Sequence, residues 1–138
     1  MGLARLVALV FGAVFVLVGI LGFLPAISPT ADSVQGMDVA DAAVLGLVPV
    51  NAIANIVHLV LGAVLLYAST STATALMVVR AFGVAYLLLG IIGLLAPNGF
   101  GIMPLGGGEM IVHFLTAIVF LVVGFMMPVS DVDSRSTT

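Results

Sequence analysis

Two stretches of this sequence are copies of one another, and each carries one of the chain's two histidines. Residues 45–66 align without a gap on residues 100–121, which places His58 opposite His113. The alignment also pairs four other distinctive residues, Gly46 and Pro49 with Gly101 and Pro104. Any two apolar helices share Leu, Val and Ile, so the shared Gly, Pro and His positions carry the argument. The chain is therefore predicted to be a duplicated two-helix unit.

The composition predicts that this unit lies in a membrane. Of 138 residues, 63% are hydrophobic and 7% are charged, too few polar groups to cover a soluble domain. Runs of about 20 apolar residues can cross a hydrocarbon core of about 30 Å, and in lipid they must be helical. Four runs qualify, and we call them segments 1 to 4: residues 3–24, 48–67, 75–95 and 109–127.

The predicted fold class is all-α, an integral membrane four-helix bundle that forms a single transmembrane domain over residues 1–129. Repeat 1 covers about residues 1–68, repeat 2 covers about residues 75–127, and residues 130–138 are predicted to be a disordered tail. Segment 1 is predicted to be a retained helix. It is longer than the apolar core of a signal peptide, about 7–15 residues, and it matches segment 3.

The positive charges predict the orientation of the bundle. The chain has no lysine, and four crossings would place Arg5, Arg80 and Arg135 on one side. The positive-inside rule makes that side cytoplasmic, so both termini are predicted to face the cytoplasm of a cell membrane. Each repeat crosses twice, so both insert the same way round, which is a parallel repeat. The inserted loop at residues 26–44 then faces outward, and it is predicted to be exposed with a short helical turn at 40–44.

Segments 1 and 3 carry the glycines, in a pattern that the two repeats share. Small residues at helical spacing let helix backbones approach closely in a membrane. We therefore expect segments 1 and 3 to meet through their glycine faces near the pseudo-twofold axis. The six packing positions are Gly12, Gly19, Gly22, Gly83, Gly90 and Gly93.

Segments 2 and 4 carry the polar side chains. Asn51, Asn55 and His58 share one stripe of segment 2, and Glu109 and His113 lie one helical turn apart on segment 4. The equivalent prolines are predicted to lie in first helical turns, which would put both histidines at the same depth. Ionisable groups inside a membrane usually face the bundle interior, so these five residues form the candidate polar site.

Segment 2 resembles a known family. The run G-L-V-P-V-N at residues 46–51, followed by Asn55-x-x-His58-Leu59-x-x-Gly62, is similar to the signature of an uncharacterised prokaryotic membrane family, domain of unknown function 4383. The resemblance extends over nearly the whole chain and implies a small four-helix protein with no established activity. In that family the second histidine usually follows an Asn three residues earlier, whereas this chain has Met110 there.

Four interpretations of the histidine pair remain open. The first is structural: both rings hydrogen-bond within the bundle to Asn51, Asn55, Glu109 or backbone carbonyls. The second is a haem b held between His58 and His113. The third is a divalent metal bound by both histidines and Glu109, with Asn55 as a further ligand. The fourth is a path for protons or small solutes, because histidine titrates near neutrality.

Other chemistries find no support in the sequence. The absence of cysteine excludes disulfides and thiolate sites, and there is no nucleophile elbow, zinc-protease motif or phosphate loop. No polybasic patch points to nucleic acid. We therefore predict a non-enzymatic structural or accessory membrane subunit without a cofactor, whose partners are the lipid bilayer and other membrane proteins or itself. The alternative is a cofactor-, metal- or proton-handling protein that uses His58 and His113.

Overall fold

The computed structural model describes residues 1–126, and most of them are helical. The long helices are α1 (Leu3–Leu21), α2 (Ala52–Ala68), α3 (Thr72–Leu95) and α5 (Gly107–Leu121), which continues as a π-helical turn, Val122–Met126. Between them lie two short strands, β1 (Ala42–Val44) and β2 (Val48–Val50), and a helical turn, α4 (Gly99–Ile102). The predicted tail and Arg135 lie outside the described residues.

Three of these helices are long and apolar enough to cross a membrane: Leu3–Leu21, Thr72–Leu95 and Gly107–Met126. The fourth apolar helix, α2, has 17 residues. The outward faces carry large apolar side chains such as Leu17, Val60 and Leu115, all more than half exposed. Water would penalise such a surface and lipid would not, so the chain is a membrane protein.

The helices pack as two pairs. α1 makes its most extensive contacts with α2, and α3 with α5, while the contact between α1 and α3 is smaller. The shared core between the pairs contains Phe15, Leu65, Val79, Tyr86 and Phe120, each at most 4% exposed.

The expected glycine seam between α1 and α3 was wrong, because the glycines lie inside each pair. A Cβ at Gly12 would meet Leu66 of α2, and one at Gly83 would meet Leu121 of α5. Aromatic rings fill the space between α1 and α3 instead. The centroids of Phe15 and Tyr86 are 5.5 Å apart, and side chains of this size hold the two backbones apart.

The other packing glycines follow the same arrangement. Gly19 faces Leu59, Gly90 faces Phe114, Gly22 faces Asn55, and Gly93 faces Leu105 and Met110. Each glycine therefore opens space for the neighbouring helix of its own pair or for the loop that leads to that helix.

The starts of the second and last long helices also differ from the prediction. α2 begins at Ala52, because the side chain of Asn51 caps it by accepting a hydrogen bond from the Ala54 amide at 2.9 Å. Pro49 lies in β2 opposite Ala43, and Pro104 precedes the N-cap of α5, so neither proline is in a first helical turn. A proline is tolerated in this two-stranded sheet because both of its strands are edges.

The inserted loop folds into a cap, where an exposed loop with a helical turn was expected. Residues 42–44 pair antiparallel with residues 48–50, and β1 is buried along its whole length. The turn uses Leu45 and Gly46 in the left-handed region, at φ 53° and 71°. The strand pairing explains the difference. The backbone N–H and C=O groups of residues 42–44 form their hydrogen bonds with residues 48–50, and a helical turn would have formed them within the segment.

Polar side chains fix this cap to the helix ends. Gln35 donates to the Leu47 carbonyl at 3.1 Å and accepts from the Gly108 amide at 2.9 Å. Asn51 donates to the carbonyls of Val39 at 3.1 Å and Ile102 at 3.0 Å. The cap therefore covers the end of the helices at which α5 begins.

Candidate functional site

Three ionisable side chains meet beneath the cap. Nε2 of His58 lies 3.4 Å from Oε1 of Glu109, and Nε2 of His113 lies 3.7 Å from the same oxygen. The exposed fractions are 7% for His58, 2% for Glu109 and 4% for His113. One carboxyl oxygen therefore faces both imidazoles in the interior of the protein, and we call these three residues the His–Glu–His site.

Two helices carry the three side chains of the His–Glu–His site. Glu109 lies in the first turn of α5, where the helix dipole favours a negative charge, and His113 follows one turn later on the same face. His58 reaches the carboxyl group from α2. Both rings face inward, and both approach Glu109 through Nε2.

Two aromatic rings form one wall of the site. Phe15 packs edge-on against His58 with centroids 5.6 Å apart, and Tyr86 packs edge-on against His113 at 5.3 Å. Phe15 and Tyr86 align with each other in the sequence, as the two histidines do. Each helix pair therefore supplies one aromatic residue and one histidine, whereas the carboxyl group comes from the α3–α5 pair alone.

The hydrogen bonds of His58 determine where its protons lie. Nδ1 of His58 lies 2.9 Å from the Ala54 carbonyl, which can only accept, so Nδ1 carries a hydrogen. The remaining nitrogen, Nε2, faces Glu109. The two groups attract each other either as a neutral imidazole beside a protonated carboxyl group or as an imidazolium beside a carboxylate. Both arrangements hold one proton between Nε2 and Oε1.

The polar network is incomplete within the described part of the chain. Oε2 of Glu109 and Nδ1 of His113 are buried there without a hydrogen-bond partner. The 3.4 Å and 3.7 Å separations are also longer than an ordinary hydrogen bond of about 2.7–3.2 Å. A cavity of about 20 Å³ borders His58, Tyr86, Glu109 and His113. A water molecule needs about 10–15 Å³ and two to four polar partners, so this space suits one water.

The cavity size bears on the cofactor alternatives. Pockets for small organic ligands are about 300–1,000 Å³, whereas this cavity is about 20 Å³. Among residues 1–126, no group of three or more His, Cys, Asp and Glu side chains is arranged to hold a metal ion.

The two asparagines predicted for this site lie elsewhere. Asn51 caps α2 and holds the cap, as described above. Asn55 is 2% exposed and faces Gly22 of α1, and its Oδ1 is unpartnered within residues 1–126. Sequence reasoning missed the part that Gln35 plays in holding the cap, because its partners Leu47 and Gly108 lie 12 and 73 residues away in the chain.

A family model for the domain of unknown function DUF4383 matches residues 5–126. The chain belongs to the DUF4383 family. This match includes the cap and all three members of the His–Glu–His site. Neither a curated protein nor a solved structure matches the chain. Membership of DUF4383 assigns no chemistry, so the function has to be argued from the site itself.

Proposed function

We propose that this protein is a small, non-enzymatic membrane protein that binds and exchanges a proton at the His–Glu–His site. We infer four membrane-spanning helices in two parallel repeats, with both termini in the cytoplasm of a cell membrane. In this proposal the protein acts as an accessory subunit, because the described residues form helices and one cap, and the cavity at the His–Glu–His site, about 20 Å³, has room for one water.

The fourth span is α2. Its 17 residues correspond to about 25 Å of helix at 1.5 Å per residue, which is the lower end of the usual range for a crossing. It runs beside α1 along much of its length, and both carry exposed apolar side chains. A helix packed in this way next to a spanning helix supports a fourth crossing.

The charges support the orientation. Arg5 donates to the Ser69 carbonyl at 2.7 Å, and Arg80 donates to the Gly124 carbonyl at 2.6 Å. Both guanidinium groups therefore lie at the end of the bundle opposite the cap, which contains Asp32, Asp38 and Asp41. The positive-inside rule makes the arginine end cytoplasmic.

The packing of the glycines supports the duplication. Gly12 and Gly83 are equivalent in the alignment of the repeats, and the residues that they meet, Leu66 and Leu121, are equivalent as well. The same relation holds for Gly19 with Leu59 and Gly90 with Phe114. A duplicated hairpin would retain equivalent contacts in its two copies, and these two helix pairs have such contacts.

The observation that carries the proton proposal is the single carboxyl oxygen of Glu109 facing two buried imidazoles. Ionisable side chains inside a membrane protein are costly and usually mark a functional site. A purely structural role would favour complete hydrogen bonding, but the described residues leave Oε2 of Glu109 and Nδ1 of His113 unpaired. Groups this close titrate as a unit, so one proton can move among them with little change in geometry.

The test is a pH titration of the histidine side chains by ¹⁵N NMR, with the purified protein in lipid nanodiscs. In the wild type we expect both imidazoles to change protonation in coupled steps. Glu109→Gln keeps the shape of the side chain but cannot be ionised, so it should change the titration of both His58 and His113. Asp32→Asn is the matched control, since it removes a carboxylate from the exposed cap and should leave both titrations unaltered.

A second measurement follows proton movement directly. Vesicles that contain the protein and an internal pH-sensitive dye are given a pH step, and the rate of internal acidification is compared between wild type and Glu109→Gln. If the variant leaves both histidine titrations unchanged, the proton proposal is wrong. If it changes the titrations but not the flux, the site stores or senses a proton without conducting it.

A further inference from the structure

A second, larger cavity lies where α1 ends and α2 begins. Its volume is about 200 Å³, and its polar lining comes from Ser28, Thr30, Asp41 and Asn55. Phe23 contributes an aromatic wall. None of the three residues of the His–Glu–His site borders it, so it is a separate site.

Asn55 supplies a buried acceptor to this cavity. Its side chain is 2% exposed, and within residues 1–126 its Oδ1 has no hydrogen-bond partner. A side chain at the facing position, Gly22, would collide with the Asn55 amide, so the glycine makes room for this amide at the edge of the cavity. A buried polar atom without a partner is costly, and a ligand that donates a hydrogen bond would remove that cost.

The charges at this end of the molecule favour a cation. Asp41 is exposed and is the one charged residue in the cavity lining, and the cap also carries Asp32 and Asp38. Within the described residues, the arginine side chains bond to carbonyls at the opposite end of the bundle. No positive side chain of residues 1–126 therefore competes for Asp41.

We propose that this cavity binds a primary ammonium group. An –NH₃⁺ group has three N–H donors. The Asp41 carboxylate, Oδ1 of Asn55 and the Thr30 hydroxyl provide three acceptors, and the Phe23 ring adds an apolar surface that attracts cations. About 200 Å³ is too large for a bare metal ion and suits a headgroup of a few heavy atoms.

The ammonium group has two sources in a membrane protein. The cavity lies at the ends of two helices, where lipid headgroups are found, so phosphatidylethanolamine can present its ammonium group there. A free small amine offers the same chemistry from the water phase. The shared ligand is the primary ammonium, and the experiment separates the two sources.

Repeat 2 lacks this site, which argues that it is a particular feature of repeat 1. The residue equivalent to Asn55 is Met110, which packs beside Gly93 and offers no comparable acceptor. Asp41 and Thr30 come from the loop that only repeat 1 contains. All three acceptors of the site are therefore missing from the second copy.

The test uses the full-length protein in a neutral detergent and, separately, in nanodiscs. Ethylammonium is titrated while the side-chain amide signal of Asn55 is followed by NMR, and tetramethylammonium, which has no N–H donor, serves as the comparison. Native mass spectrometry then measures retention of phosphatidylethanolamine against phosphatidylglycerol. Asp41→Asn should weaken ammonium binding by at least about tenfold, as should tetramethylammonium in place of ethylammonium.

The control is Asp32→Asn, which removes the same charge from the same cap without touching the cavity and should change the affinity by less than about twofold. Asn55→Leu is a second variant, with circular dichroism to show that it folds, and it should also lose binding. Saturable binding of ethylammonium or of phosphatidylethanolamine that is lost in Asp41→Asn supports the proposal and identifies the source of the ammonium group. The proposal is wrong if neither molecule binds saturably, or if Asp32→Asn weakens the binding as much as Asp41→Asn does. Neither result depends on proton exchange at Glu109.

Discussion

Alanine at Gly19 and alanine at Gly90 should have unequal effects, although the two glycines align with each other in the sequence. A Cβ at residue 19 would lie 2.8 Å from the backbone oxygen of Asn55 and 2.8 Å from Cγ of Leu59. A Cβ at residue 90 would lie 2.9 Å from two ring carbons of Phe114 and 3.0 Å from a third. Ordinary contacts between carbon atoms are about 3.5–4.0 Å, so both sites are tight.

The difference lies in what must move. The Asn55 carbonyl belongs to the backbone of α2 and can move only if the helix shifts, whereas the partly exposed Phe114 ring can turn towards lipid. Overpacking that the structure cannot relieve costs about 1–3 kcal/mol. Replacing glycine by alanine inside a helix contributes about 0.8–1 kcal/mol in the opposite direction. That second contribution cancels when the two variants are compared, so Gly19→Ala should be less stable than Gly90→Ala by about 1–3 kcal/mol.

Equilibrium unfolding in mixed micelles measures this difference, with increasing sodium dodecyl sulfate in a neutral detergent and helicity followed by circular dichroism. Ala13→Gly on the exposed face of α1 is the control, because it reports the helix propensity contribution in the same helix without a packing change. If Gly90→Ala is as destabilised as Gly19→Ala, or more so, the close approach of α1 to the α2 backbone is refuted.

Three further predictions concern orientation, the cap and the histidines. Single cysteines that replace Ser33 and Ser71 should be labelled from opposite sides of the membrane. An impermeant maleimide should label position 33 in sealed cells and position 71 only after permeabilisation. Equal labelling in sealed cells would contradict the orientation. Gln35→Ala removes two hydrogen bonds and should lower the free energy of unfolding by about 1–2 kcal/mol, measured as above, and an unchanged value would show that Gln35 does not hold the cap. His58→Leu loses the bond to a backbone carbonyl, so it should cost up to about 2 kcal/mol. His113→Leu should cost less, because Nδ1 has no partner within residues 1–126, and the reverse order would contradict the hydrogen bonding described above.

The positions of the long helices could be predicted because hydropathy is a local property of the chain. Segment 1, at residues 3–24, corresponds to α1 at Leu3–Leu21, and segment 3, at 75–95, corresponds to α3 at Thr72–Leu95. The start of α2 could have been found as well. Asn51 directly precedes a long apolar run, and an asparagine in that position is a common helix N-cap.

The cap could not be predicted in the same way. Residues 40–44 are small and mostly apolar, with Asp41 among them, and their pattern is equally compatible with a helical turn or a strand. Their conformation is decided by pairing with residues 48–50, and the cap is further held by the bond from Gly108 to Gln35. Such contacts between distant residues leave no periodic signal in a single sequence.

The helix that packs against each glycine face could not be predicted from the sequence either. Spacing shows that Gly12 and Gly19 lie on one face of α1, but it does not show which helix approaches that face. The choice depends on bulky neighbours, because Phe15 and Tyr86 occupy the space between α1 and α3. Phe15 and Tyr86 were visible in the sequence as equivalent positions, yet their separation of 5.5 Å required the fold.

The two histidines align with each other in the sequence, but the chemistry of the site depends on a carboxyl group that has no aligned counterpart. The residue equivalent to Glu109 in repeat 1 is Ala54, so two imidazoles share one carboxyl group. With a proton on Nε2 of His113, Oε1 of Glu109 can accept from that ring and still share a second proton with His58. Moving that second proton between His58 and Glu109 interconverts an ion pair and a neutral pair without changing the net charge of the site. A second carboxyl group at position 54 would give each imidazole its own carboxylate, and two ion pairs would then have to be buried inside the membrane. A single carboxyl group shared by two imidazoles limits the proposed site to one buried ion pair.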